Sequence, residues 1–454
     1  MQLLNTSGRQ KTALVLEDVR HIVTFITNFA DQHGLVLPGR VAGFPRDAVK
    51  VLPTSFTKKE VWQQYDTTSS PEGIKKVKYR TFVRLWRQLL PFIAICKPAS
   101  DLCWQCQQNY RAITHKANSE DTEKLEAIKQ QEEHLKTASQ ERALYQEQIS
   151  SARAIFDLSL KNTVLPQPPN SFASSQHYSF DFAQQVMYPS NPLQPGPIYF
   201  MVPKRCGLFG VHSEGANRQH NYMIDEAVSV GKGTNTVISL LHHYLDHYSY
   251  GEQHLHLHAD NCSGQNKNNT MLQYLMWRIH TGRNSSVSLH FMIAGHTKFA
   301  VDWGFGLLKR KFRKTKVDCL ADLAKVINDS SHVNIPVQVG DETGRSFVTM
   351  YDWSTFLSSS FIKCPNLLQQ HHFHFDKDHS GVVLTQKFVN SEKFKVKIQK
   401  GRIRSGMPSI IEPVPMTNQR QQYFFHHIRQ FAYNSVIRGY SLGWTNPGDS
   451  GAYC

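Results

Sequence analysis

Long apolar runs are missing from this 454-residue chain: no stretch of 18 or more apolar residues occurs, so no membrane span is expected. Cysteine is sparse, with eight residues scattered along the chain, which does not resemble a secreted disulfide framework and favours a reducing compartment. Acidic residues number 36 against 51 lysines and arginines, which gives a formal net charge of +15. A surplus of this size favours a polyanionic partner, most commonly nucleic acid.

The most informative segment is residues 254–269, HLHLHADNCSGQNKNN. Its first seven residues alternate with period two, which predicts a strand that carries three histidines and Asp260 on one face. The polar residues after Asp260 cannot continue a strand, and residues 270–279 (TMLQYLMWRI) predict a helix. A carboxylate at the carboxyl end of a strand, just before a helix, is where α/β sheets place their chemistry.

Two further acids occupy related positions. Residues 177–184 (HYSFDFAQ) alternate again and place Asp181 inside an aromatic strand, where an unpaired charge would be unfavourable. Residues 287–294 predict another strand, and Asp302 follows it near the start of a helix rich in lysine and arginine. The order of the acids suggests an α/β fold (α+β overall) of the ribonuclease-H-like type. Between Asp181 and Asp260 we expect strands near 198–202 and 206–213 and a helix around 235–248.

Four motifs resemble a known family. They are DNCSGQNKN at 260–268, GHTKFAVDWGFGLLKRKFR at 295–313, YDWSTF at 351–356 and RQQYFFHHIRQF at 420–431. Over roughly residues 90–435 the chain is similar to uncharacterised, transposon-derived proteins that resemble DDE/DDD-type transposases. It departs from their pattern at Ser263, where glycine is usual, and at Val301, where proline is usual.

The resemblance implies a two-metal site. Asp181, Asp260 and Asp302 would hold two Mg²⁺ or Mn²⁺ ions at a DNA phosphodiester, since hard cations prefer oxygen ligands. Each acid also has a structural interpretation: Asp181 as the partner of a buried arginine, Asp260 as a loop or helix-capping residue, and Asp302 as an N-cap. Acids that could replace the third ligand are Glu214, Asp225 and Glu226.

Several residues are candidates for nucleic-acid contacts. Asn266 and Lys267 stand at an expected helix start, where backbone N–H groups favour phosphate, although surface solvation explains them equally well. The basic residues after Asp302 are Lys309, Arg310, Lys311, Arg313 and Lys314. In the first 95 residues, two helices at 57–65 and 78–91 resemble a helix-turn-helix, whose second helix would present Arg84 and Arg87. The alternative is a small helical domain with an exposed basic face.

A cysteine cluster follows. Cys103 and Cys106 form a CxxC pair, and Cys96, His115 or His134 could complete a structural Zn²⁺ site. Buried reduced thiols are the alternative. No thioredoxin-like pattern surrounds the pair, which argues against redox chemistry.

The organisation is predicted from composition. We expect a helical, DNA-binding region at 1–95, the cysteine element and a long helical arm at 96–164, a proline-rich connector at 165–172, a catalytic-type domain at 173–330, a β-rich appendage at 331–438 and a flexible tail at 439–454. The arm could support a homo-oligomer.

Together these features predict a nuclear, transposase-like DNA-binding protein. A decayed or domesticated remnant that binds DNA or chromatin without catalysis is the second hypothesis. A structure-selective or RNA-directed nuclease on the same fold is a more distant third.

Overall fold

A computed structural model describes residues 14–34, 50–68, 75–95, 102–115 and 121–433, apart from a few side chains near 114–124. The chain divides into two compact units, Met1–Ser139 and Gln140–Cys454. Cys96, the side chain of His115 and the predicted tail at 439–454 lie outside the described residues. Within the described residues, no helix is long and apolar enough to cross a membrane.

The first unit is mostly helical. Its helices are α1 (Leu16–His33), α2 (Lys58–Thr67), α3 (Tyr79–Leu89), α4 (Trp104–His115) and the first part of α5 (Asp121–Ile155), and a short parallel pair joins β1 (Lys50–Leu52) to β2 (Ile93–Ile95). Helix α2 begins at a capping box, in which the Thr57 hydroxyl accepts from Glu60 N and the Glu60 carboxylate accepts from Thr57 N. The long helix predicted over 118–156 is present as α5, Asp121–Ile155.

Helix α3 has one apolar and one basic face. Phe82 and Trp86 are buried one turn apart, whereas Arg84 and Arg87 are exposed. Leu89, the last residue of the helix, is 45% exposed.

The second unit contains a nine-stranded sheet within the described residues. Its strands are β3 (Phe172–Tyr188), β4 (Lys204–Ser213), β5 (Arg218–Asp225), β6 (Glu252–Ala259), β7 (Ser286–Phe291), β8 (Asn334–Gln338), β9 (His372–Asp376), β10 (Val382–Gln386) and β11 (Lys393–Lys397). Their order across the sheet is β11-β10-β9-β7-β6-β3-β4-β5-β8.

Strand directions divide the centre of this sheet in two. β3, β4 and β5 form an antiparallel meander, whereas β6 pairs parallel to β3, and β7 pairs parallel to β6. β8 adds parallel to β5 at one edge, and β9 adds antiparallel to β7 toward the other. The chain is therefore a mixed α/β protein, as the alternating strand and helix patterns predicted.

Helices cover both faces of the sheet. They are α6 (Thr234–His247), α7 (Asn269–His280), α8 (Ala300–Phe312), α9 (Leu320–Ser330), α10 (Trp353–Ser358) and α11 (Asn418–Tyr423). Helices α6, α7 and α10 pack on one face, where Trp277 of α7 and Trp353 of α10 are buried. Helices α8 and α9 pack on the opposite face, where Val301 of α8 and Leu323 of α9 are buried. Strand β7 alternates, and its apolar residues Val287, Leu289 and Phe291 belong to the cluster that α6, α7 and α10 cover.

Three expectations need correction. The strand expected near 198–202 is a 3₁₀ turn, Pro197–Phe200, because Pro195, Gly196 and Pro197 interrupt any extended run. The third strand of the meander is instead β5, which the pattern analysis missed. The appendage expected at 331–438 is not separate in its described part, since β8 to β11 extend the central sheet at its two edges.

Candidate functional site

Strand β3 positions Asp181 in the middle of the sheet. The residue is half-buried and lies opposite Gly210 of β4, and its Oδ1 accepts a hydrogen bond of 2.7 Å from Phe182 N. Burial raises the pKa of Asp181 to about 7, and the charges of Asp260 and Asp302 act in the same direction. A carboxyl that titrates near neutral pH beside two other acids is typical of functional sites.

Asp260 stands at the carboxyl end of β6. Its Oδ1 accepts from Cys262 N at 3.0 Å and from Asn266 Nδ2 at 2.6 Å, so this carboxylate organises the loop that follows the strand. It does not cap the next helix, because Asn268 is the N-cap of α7 and accepts from Met271 N. Asp260 therefore does not cap α7, and its carboxylate holds the loop that follows β6.

Asp302 is the third residue of α8. Its Oδ2 accepts from Phe299 N at 2.9 Å and closes the first turn of the helix. Although the residue is exposed overall, partial burial raises the pKa of its carboxyl, and the charge of Asp260 contributes to the rise. Asp302 thus has the structural role that an acid near a helix start often has, while the charge of Asp260 also raises its pKa.

The three aspartates belong to one electrostatic cluster. Asp260 and Asp302 both raise the pKa of Asp181, and Asp260 also raises that of Asp302. Within the described residues, no lysine, arginine or histidine nitrogen lies within 4.0 Å of any of these carboxylates. The carboxylate oxygens do not all approach within 4.8 Å of one another, as like-charge repulsion favours.

Two residues of α5 hold the start of α8 in place. Arg142 donates to the carbonyl oxygens of His296 at 2.7 Å and Lys298 at 2.6 Å, and Tyr145 Oη accepts from Ala300 N at 3.0 Å. Sequence analysis missed both residues. The sequence feature that could have indicated them is their spacing: an arginine and a tyrosine three positions apart share one face of a helix that is otherwise rich in glutamate, glutamine and lysine.

The alternative third acids are committed to other partners. Glu214 is buried and accepts from Tyr145 Oη at 2.6 Å and Ser179 Oγ at 2.7 Å. Asp225 is buried and lies 3.0 Å from Lys204 Nζ, and Glu226 bonds Arg420 and Arg205. None of these three acids is among the groups that shift the pKa of Asp181.

Asn266 and Lys267 do not form an exposed phosphate-binding surface. They are 1% and 3% exposed, because Asn266 turns inward to Asp260 and Lys267 Nζ donates to Asn261 Oδ1 at 2.9 Å. Burial lowers the pKa of Lys267 to about 8. Both residues therefore stabilise the loop after β6, and the expectation that they contact nucleic acid is corrected.

The basic end of α8 is accessible. Arg310, Arg313 and Lys314 are exposed, and Lys309 and Lys311 are half-buried. Burial lowers the pKa of Lys309, the nearby Arg313 lowers it further, and Asp302 opposes both effects. In the first unit, the predicted contact residues Arg84 and Arg87 are exposed on α3.

The cysteine cluster is formed by two helices of the first unit. Cys103 directly precedes α4, Cys106 lies in its first turn, and His134 lies on α5. The ligand atoms of these three residues are within 4.8 Å of one another, and Cys103 Sγ is 3.3 Å from His134 Nε2. Burial lowers the pKa of His134, which favours the neutral imidazole.

Comparison with known proteins yields one domain match. Residues 205–392 match a family model described as a domain of unknown function (DUF7869). The matched region includes Asp260 and Asp302 and begins after Asp181. No curated protein matches the chain significantly.

Proposed function

We propose that this protein is a transposase-like DNA-binding protein whose second unit has a ribonuclease-H-like core. The strand order β5-β4-β3-β6-β7 supports the fold assignment. Strands β5, β4 and β3 pair antiparallel, and β6 and β7 continue from β3 in parallel pairing. Helices α6 and α7 provide the crossovers that lead into the parallel strands β6 and β7.

The observation that carries the proposal is the placement of the acids. Asp181 projects from the first strand of the sheet, Asp260 follows the first parallel strand, and Asp302 lies in the first turn of the helix after β7. The charges of Asp260 and Asp302 raise the pKa of Asp181, and the charge of Asp260 raises that of Asp302. Elements distant in sequence thus deliver three carboxylates to one locality. A merely structural acid would not require two further acids beside it.

The donor set fits two Mg²⁺ or Mn²⁺ ions. All three side chains are carboxylates, which hard divalent cations prefer, and their mutual repulsion would be relieved by a cation. Bound ions would activate water or a 3′-hydroxyl and stabilise the leaving oxygen of a phosphodiester. Asn266 fixes the orientation of Asp260, and Arg142 and Tyr145 fix the start of α8, which carries Asp302.

The substrate class follows from charge. The net charge of +15 and the accessible basic residues of α8 favour a polyanion. Asp302 lies in the first turn of α8, so the cations that begin at Lys309 follow it by about two turns on the same helix. Such a protein would act on chromosomal DNA in the nucleus. Pairing of two chains through α5 is proposed as the route to a homo-oligomer.

The competing proposal is a transposon remnant that binds DNA without cutting it. It is favoured by one observation, that Asp302 is used to close the first turn of α8. Under this proposal the acids are a retained feature of the fold, and the basic surfaces still bind DNA or chromatin.

A cleavage assay tests the proposal. Purified full-length chain is incubated with supercoiled plasmid and with blunt duplexes in Mg²⁺ or Mn²⁺, and nicking and strand transfer are measured. We expect Asp260→Asn to abolish cleavage and leave DNA affinity unchanged or improved, whereas Asp329→Asn, an exposed control on α9, has no effect. Binding without metal-dependent cleavage in the wild type would favour the remnant, and absence of salt-sensitive binding would defeat both proposals.

A further inference from the structure

We infer that Cys103, Cys106 and His134 form a structural Zn²⁺ site in the first unit, independent of the proposed DNA chemistry. The geometry is close to that of an assembled centre. Zn–S bonds of about 2.3 Å and Zn–N bonds of about 2.0–2.1 Å around a tetrahedral ion place sulfur and nitrogen about 3.5 Å apart. Cys103 Sγ and His134 Nε2 are 3.3 Å apart.

The surroundings form a built site. Cys103 is buried, and Cys106 and His134 are half-buried between α4 and α5. Asn109 and Gln131 link the same two helices through a buried hydrogen bond of 2.9 Å. Two sulfurs and one imidazole are ligands that Zn²⁺ prefers over the oxygen ligands of Mg²⁺. Binding would release the two thiol protons and join α4 to α5.

Metal content and thiol reactivity test this site. The full-length chain, loaded with Zn²⁺ under reducing conditions and desalted, is expected to retain about one zinc per molecule. Cys103→Ser, Cys106→Ser and His134→Ala should each retain several-fold less. Cys319→Ser is the matched control, because this half-buried cysteine is the N-cap of α9, where serine is favourable.

A second measurement needs no variant. In the zinc-loaded wild type, Cys103 and Cys106 should resist iodoacetamide and become reactive after EDTA treatment, as followed by peptide mass spectrometry. A wild-type chain that retains no zinc, or thiols that react equally with and without zinc, would overturn the site. Full zinc retention in Cys103→Ser and Cys106→Ser would overturn the ligand assignment.

A different observation carries a second inference, which rests on the proposed function. The structure assigns the groove beside α8 as the binding site of an unpaired DNA strand. The groove has a volume of about 340 Å³ and is lined by β3 from Gln184 to Met187, by the loop 189–203, by Lys309 and Arg313 of α8, and by Phe431. Its lining includes two cations and no acidic residue.

The groove and the acidic cluster share two elements, β3 and α8. Lys309 and Arg313 follow Asp302 by seven and eleven positions, so the three residues lie on one stripe of α8. On β3 the lining begins three residues after Asp181, which is about 10 Å along a strand. A nucleic-acid strand in the groove would therefore lead to the carboxylates.

Two exposed aromatic rings make this surface suited to unpaired bases. Tyr199 and Phe200 are 74% and 86% exposed, and their rings meet edge to face at 5.2 Å. The turn that carries them is anchored: Arg420 donates to the carbonyls of Val202 and Pro203, and Ser190 pairs with Val317. Exposed aromatic side chains beside a cationic groove are the features by which proteins stack single-stranded bases.

The test compares duplexes with and without a single-stranded overhang, under conditions without Mg²⁺. The wild type should bind the overhang duplex more tightly than the blunt duplex. Tyr199→Ala with Phe200→Ala should weaken overhang binding about fivefold to one-hundredfold and leave blunt-duplex binding unchanged. Leu193→Ala is the matched control, since Leu193 is 85% exposed on the same loop and outside the groove lining.

The outcomes separate the two proposals. Equal affinity of the wild type for overhang and blunt duplexes, with metal-dependent cleavage intact, would overturn the groove assignment alone. Absence of binding to either duplex would overturn the proposed function as well. A change of oligomeric state in the Tyr199→Ala, Phe200→Ala variant without a change in DNA affinity would identify the surface as a protein interface and overturn the assignment.

Discussion

Tyr145 of α5 donates a 2.6 Å hydrogen bond to Glu214 Oε1, and the same hydroxyl accepts from Ala300 N at 3.0 Å. One phenol therefore links the buried turn after β4 to the residue that begins α8. Because Asp302 is two residues further along, this pair of bonds sets where the third acid of the candidate site stands.

Removing that hydroxyl should loosen the start of α8. Tyr145→Phe leaves Ala300 N–H without its acceptor and leaves the buried Glu214 Oε1 with Ser179 as its remaining donor. We therefore expect a loss of about 1–3 kcal/mol in the free energy of unfolding. Urea denaturation measures it, with the exposed Tyr199→Phe as control. If both substitutions leave the free energy unchanged, Tyr145 does not have this positioning role.

Glu214 should make stability depend on pH. Burial raises its pKa to about 7, above the value of an exposed glutamate. Its contribution to stability is therefore full below about pH 4 and is lost as the pH rises through 7. Relative to Glu214→Gln, which keeps an acceptor oxygen, the wild type should lose about 1–3 kcal/mol between pH 5 and 8.

Thermal unfolding at several pH values checks this prediction. The exposed Glu392→Gln variant serves as control and should track the wild type throughout. A constant difference between the wild type and Glu214→Gln from pH 5 to 8 would contradict the raised pKa.

A buried ion pair supports the edge of the meander. Lys204 Nζ lies 3.0 Å from Asp225 Oδ1, both side chains are fully buried, and Tyr188 also hydrogen-bonds Asp225. Lys204→Met leaves a buried carboxylate without its cation, so we expect a loss of about 3–5 kcal/mol in urea unfolding. Adding Asp225→Asn should recover part of that loss. A single substitution no more harmful than the exposed Lys393→Met would refute the argument.

The basic end of α8 should control the salt dependence of DNA binding. Changing Lys309, Arg310 and Lys311 to alanine should weaken binding and lower the slope of log K against log salt by up to about three units. The matched control removes three lysines of the exposed strand β11: Lys393, Lys395 and Lys397. Equal losses in both variants would mean that total charge, and not α8, governs binding.

Local patterns predicted much of the second unit. Period-two alternation located β3 and β6, and the polar residues after Asp260 marked the end of β6. The turn at Pro197–Phe200 and the strand β5 were not distinguished, because a short apolar run near proline and a strand buried along most of its length carry weak periodic signals. Asn266 and Lys267 were misplaced because composition cannot show which way a polar side chain points.

The sequence by itself identified the three candidate acids and placed them at a strand centre, a strand end and a helix start. It also identified the CxxC pair and the basic stretch after Asp302. Only the tertiary structure decided that the charges of Asp260 and Asp302 raise the pKa of Asp181. It also decided that Glu214 and Asp225 bond other partners, and that Arg142 and Tyr145 reach the start of α8. The physical reason is that hydrophobic periodicity reports which face of an element is buried. Which buried faces meet depends on contacts between residues far apart in the chain, such as Tyr145 and Ala300, separated by 155 positions.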